Sequence, residues 1–109
     1  MNGDIDKLIK FIAKYFPFDE KTYPELKGAN KEKHLIFAIR HSAIHFAKTA
    51  GKIAAVSEDA DHNRKIKIGE LKENTSKSLI NTLRLAELLN MSEADLISAI
   101  EKKFGKKMD

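Results

Sequence analysis

Apolar residues along this chain recur three and four positions apart and almost nowhere alternate by two, a pattern that predicts helices throughout and no strand. A first helix is expected from about Asp4 to Phe16, with Ile5, Leu8, Ile9 and Ile12 on its apolar face and Pro17 as its stop. Residues 17 to 30, PFDEKTYPELKGAN, hold both prolines, a glycine and aromatics, and read as an ordered loop with at most a short helical turn. Asn30 can cap a long second helix, about Lys31 to Ala60. The run DHNRK, 61 to 65, breaks the pattern before a third helix over about Ile68 to Leu89. NMSEAD is the sharpest boundary: Asn90 ends the third helix, and Ser92 with Asp95 three residues on makes a capping box for a fourth. That last helix closes near Phe104, with Gly105 and a basic tail behind it. The expected fold is therefore one all-α domain over residues 1–109.

Composition narrows the function classes. A chain of 109 residues can bury one core, and is small enough that pairing with a second copy would enlarge it usefully. The absence of cysteine excludes disulfides, thiolate metal sites and cysteine nucleophiles, and fits a reducing, cytoplasmic setting. No window approaches the roughly 18 uncharged apolar residues of a membrane span, and no apolar run follows a basic start. A cytoplasmic chain with no membrane partner is expected. The formal charge of +4, from 20 basic and 16 acidic residues, permits a phosphate-bearing partner without requiring one.

Candidate chemistry concentrates in HSAIHFAKTAGK, residues 41 to 52. At about 100° per residue, His34, His41, His45, Lys48, Lys52 and Asp59 form one narrow stripe on the second helix, bordered by Phe37, Ile44 and Ala55 and by Ala38 and Val56. A charged stripe between apolar borders predicts a polar seam between packed helices rather than a broad solvated face. On the third helix Asn74, Lys77, Asn81 and Arg84 share a face, with Glu70 a turn earlier. Antiparallel neighbours would turn both stripes to a common cleft.

The long helix, the loop and the segment LRLAELLNMSEADL, over about residues 34 to 104, resemble the MazG-like branch of the all-alpha nucleoside triphosphate pyrophosphohydrolases. The resemblance implies a four-helix bundle completed by dimerisation or tetramerisation. It also implies magnesium-dependent hydrolysis of nucleoside triphosphates to monophosphate and pyrophosphate. The family's motifs, EExxE on one helix and ExxD on the next, supply the oxygen ligands that hard cations need. Placed by AKTAGKIA and by counting back from Asn90, those positions here carry Lys48, Thr49, Lys52, Asn74 and Lys77. Lysine ammoniums repel magnesium, so the expectation is a degenerate site without catalytic residues and without a cofactor. His41, His45, Lys48, Lys52, Asn74, Lys77, Asn81 and Arg84 become candidates for binding a nucleotide or other phosphate ligand instead.

Other readings compete. A shifted register would make an active enzyme with magnesium held by the acidic pairs Glu58 with Asp61 and Glu70 with Glu73. His41 and His45, at i and i+4, could hold zinc or nickel with His34, His62 or Asp59, although the spacing is weakly specific and cleft-lining is the commoner role. The lysines could simply pair with Asp59, Glu70 or Glu73, and Arg84 with Glu73 or Glu87. Arg64, Lys65, Lys67 and the tail EKKFGKK suggest nucleic acid, yet the charges are scattered and no helix-turn-helix is recognisable. A purely structural helical oligomer is the remaining class.

Overall fold

The computed structural model describes residues 3–109, and every regular element among them is helical. Helix α1 spans Asp4–Tyr15, α2 Lys31–Asp61, α3 Ile68–Leu88 and α4 Glu93–Phe104, with one 3₁₀ turn at Pro24–Leu26 inside the first loop. The boundaries follow local chemistry. Asn30 Oδ1 accepts from the Lys33 N–H at 2.9 Å and opens α2. The third helix stops one residue earlier than its apolar pattern, because Leu89 is its C-cap. Asn90, at φ 56°, takes the left-handed position, so that its own N–H reaches the Glu87 carbonyl and the Met91 N–H reaches that of Ala86. Ser92 and Asp95 form the reciprocal capping box of α4, and Gly105, at φ 64°, ends that helix.

The first loop is held in place rather than merely excluded from helices. Asp19 Oδ1 accepts from the Thr22 N–H at 2.8 Å, which lowers the Asp19 pKa. Leu26, at 5% exposure, anchors the 3₁₀ turn.

Two different kinds of packing flank α3. Toward α1 and α4 it presents Leu83 and Ala86, which with Ile9 and Ile12 form the apolar core, joined by Ile5, Ile80, Met91 and Leu96. The N-termini of α1 and α4 close this side by capping each other. Glu93 Oε1 accepts from the Ile5 N–H at 2.9 Å, while Asp6 Oδ1 accepts from the Glu93 N–H at 2.8 Å. Each carboxylate thus satisfies a free donor at the positive end of the other helix. Gly3 precedes α1 where a Cβ would run into the Glu93 carboxylate, which explains why no side chain of its own caps that helix.

Toward α2, by contrast, α3 presents Asn74, Asn81 and Arg84 against Ala38, Ser42, Thr49 and Val56. Asn81 Nδ2 donates to Thr49 Oγ1 at 3.2 Å, and Asn74 Nδ2 donates back to the Glu70 carbonyl at 2.9 Å. Small residues on α2 let this seam close with few apolar atoms. The result is a slab of 51 × 42 × 21 Å.

Candidate functional site

The polar seam expected between α2 and α3 exists, but its interior is made by Ser42, Thr49, Asn74 and Asn81 rather than by the charged stripe. His34, His41, His45 and Asp59 lie half-buried along one edge of the seam, with Lys48 and Lys52 exposed beyond them. The structure splits the expected single cleft into three places.

The first is a histidine nest at the loop. His41 Nε2 lies 3.1 Å from Tyr23 Oη and 3.0 Å from His45 Nε2. Phe37 stacks on His41 at 5.8 Å between ring centroids, and Phe18 meets it edge-on at the same distance. Neutral His41 with its proton on Nδ1 offers one lone pair at Nε2, which Tyr23 Oη and His45 Nε2 share as donors. Protonation would turn the acceptor into a donor and break at least one bond. Partial burial lowers the His41 pKa first, followed by His45, Arg84 and Lys48; burial, Arg84 and Lys48 lower that of His45 in the same order. The lone pair of neutral His41 is therefore turned toward Tyr23 and His45.

Arg84 forms the second. It is 8% exposed, and its guanidinium lies 4.2 Å from the Phe18 ring centroid and 5.4 Å from that of Phe16. One Nη donates to the Phe16 carbonyl at 3.2 Å, while Nε has no acceptor. The expected pairing with Glu73 or Glu87 is not made: Glu73 pairs with Lys77 at 3.3 Å. Arg84 instead lines a cavity of about 240 Å³ with Phe16, Phe18, His34 and Glu87.

The third place is a groove of about 350 Å³ that brings together Lys52, Asn74 and Lys77 with Glu70 and Glu73. Two lysines face two glutamates there, so the groove is close to electrically balanced, and the internal pairing of Lys77 matches the simpler of the two sequence expectations. Lys48, His41, His45 and Arg84 are not part of it.

These positions do not fit magnesium. Lys48 and Lys52 carry positive charge, Thr49 and Asn74 are buried and engaged in the seam, and Lys77 holds Glu73. Among the described residues no three histidine or carboxylate side chains converge as a metal-binding group, the shifted acidic pairs included. His62 sits instead by Glu58 at 4.0 Å, and Asp59 pairs with Arg64 at 2.8 Å. The aromatic partners Phe16, Phe18 and Tyr23 are what charge patterning overlooked. Their signal was the density of rings in the loop, which only the packing joins to His41 and Arg84.

Set against protein-family models, curated proteins and solved structures, the chain matches none of them. The likeness to MazG-like proteins thus rests on the residues quoted above alone.

Proposed function

We propose that the chain is a non-catalytic, MazG-like helical protein that binds a phosphate-bearing small molecule on the charged side of the α2–α3 pair, without metal. Arg84 carries this reading. Among the described residues no carboxylate pairs with its nearly buried guanidinium, and its Nε lacks an acceptor. A desolvated cation with no carboxylate within ion-pair distance is costly even with Glu87 on the cavity wall, and a phosphate oxygen supplies both charge and acceptor in the fork that guanidinium favours.

Size limits what enters. At about 240 Å³ the Arg84 cavity falls below the roughly 300–1,000 Å³ of a typical ligand pocket. It takes a phosphoryl group and leaves the remainder of a nucleotide outside, beside the 51% exposed ring of Phe16. Lys48 adds to the local positive field without touching the cavity, while Lys52 and Lys77 belong to the balanced groove. The anion site thereby moves from the lysines to Arg84 and His34.

Calorimetry without divalent metal tests this with inorganic pyrophosphate and a nucleoside monophosphate. Binding by the unaltered chain that is lost in Arg84→Gln, with helicity retained, supports it. No binding by the unaltered chain contradicts it, as does magnesium-dependent release of pyrophosphate from a nucleoside triphosphate.

A further inference from the structure

On the opposite side of the same helix pair the middle of α2 carries a sector without charge. At about 100° per residue, nine apolar residues of α2 between Leu35 and Ala54 fall in one sector about 120° wide. Ile36, Ile39, Ala43, Phe46 and Ala50 mark its length. Between Glu32 and Asp61 this sector contains no charged side chain. Antiparallel packing turns the uncharged edge of α3, with Thr75, Thr82, Leu85 and Leu89, to the same side of the slab. Among the described residues no element covers its outer part: Leu35 is 40% exposed, Ile36 46%, Ile39 37% and Leu89 56%, while Phe46, Ile53 and Leu85 are half-buried.

The accessible area agrees with an unpartnered face. A compact monomer of 12.3 kDa exposes about 6,100 Å², whereas this chain exposes 8627 Å². Its radius of gyration is 16.9 Å, against about 13 Å for a compact domain of this length. Part of the excess of about 2,500 Å² comes from the outer side of α4, where Ile100, Phe104 and Met108 are also exposed. Obligate dimers bury about 2,000–5,000 Å² in total, half from each partner, so the excess on one chain is of the size that a second copy removes.

We propose that a second copy of the chain closes this face, α2 against α2 about a two-fold axis. Alanines at 43, 47, 50 and 54 line the half of the sector turned away from α3 and allow two backbones to approach toward the short end of the roughly 8–10 Å range for packed helices. A lipid surface would select large side chains there, with Trp, Phe and Leu dominating, and four alanines are a poor anchor. A self-complementary face used once by each partner gives a closed dimer rather than a filament. The charged sides then point outward in both copies, so the dimer stands whether or not Arg84 takes an anion.

The chain has no cysteine, which permits a clean cross-linking test of the full-length protein. Sedimentation equilibrium should give a dimer. Single cysteines placed at Ile39, Ala43, Ala47, Ala50 and Ala54 should yield a disulfide-linked dimer for at least one position. Cysteines at Lys48, Lys52 and Ala55 on the other side should stay monomeric on denaturing gels. Ala50→Glu should raise the dissociation constant about 100-fold or more while retaining helicity, because it buries charges that have no partner. A monomer at 100 micromolar (on the order of the highest working concentration for such interfaces) would overturn the proposal. So would cross-linking confined to the control positions, or a monomer that floats with neutral phosphatidylcholine vesicles, which would assign the face to lipid instead.

Discussion

The two sides of the α2–α3 pair are built from the same two helices and could hardly differ more. One side carries Lys48, Lys52, Glu70, Glu73, Lys77, Arg84 and Glu87; the other passes from Leu35 to Ala54 and from Leu71 to Leu89 with no charge in its central sector. The charged side is largely self-satisfied, since Lys77 holds Glu73 and Arg84 lies against Phe18. The outer part of the uncharged side is covered by no element among the described residues. Charged residues on a helix therefore mark where water and ions can complete the structure, while a bare apolar sector is left exposed by the single chain.

Substitutions on each side should separate assembly from folding. The largest effect is expected from Ala50→Glu, which on our account dissociates the dimer by about 100-fold or more without unfolding the helix, as glutamate is a good helix former. Sedimentation and circular dichroism read the two outcomes separately. Leu83→Ala strikes the apolar core beside α1, where Leu83 is 2% exposed, and should cost about 2–5 kcal/mol in denaturant unfolding. If both variants lose helicity equally, the distinction between the two sides fails.

Arg84→Gln should abolish pyrophosphate binding and also loosen the first loop, since the arginine bonds the Phe16 carbonyl and lies over Phe18. A loss of about 1–3 kcal/mol in stability is expected for breaking that buried contact. The charged side should also sense pH. The folded pKa values of His41 and His45 lie below the ordinary 6.5, so the unfolded chain binds protons more readily. Their contribution to stability is complete above about pH 6.5 and declines as pH falls through the lowered folded values. Melting curves at pH 7.5 and 5.5 (a window set around the ordinary histidine value) should show that loss shrinking in His41→Gln. Smallest of all, Lys48→Ala should shift stability by no more than about 0.5 kcal/mol, because the side chain is exposed and pairs with nothing among the described residues.

Much of the fold was legible because helix ends have local causes. Asn30, Asn90, Ser92 with Asp95, and Gly105 all act where the sequence places them. The polar seam was legible in kind but not in composition. Residues Ser42 and Thr49 sit one or a few positions from the charged stripe, and a wheel cannot say which edge of a stripe a neighbour will cover. The bare sector of α2 was fully present in the sequence at the same 100° spacing, but apolar residues read in isolation look like core. Only the structure shows that, among the described residues, no element packs over Leu35, Ile36 and Ile39. The link between Tyr23 and His41, 18 residues apart, depends on how the loop folds back and has no periodic signal.

If one chain is an incomplete unit, its unfolding must be coupled to dissociation. Melting the protein over a hundredfold range of concentration tests this directly (two decades suffice because the shift is logarithmic). With about 0.7 kcal/mol of unfolding enthalpy per residue and two chains per unit, Tm should rise by about 3 °C for each tenfold increase in concentration. A Tm that stays constant across the range would show that the chain folds alone and that the uncharged face of α2 is not closed by a second copy.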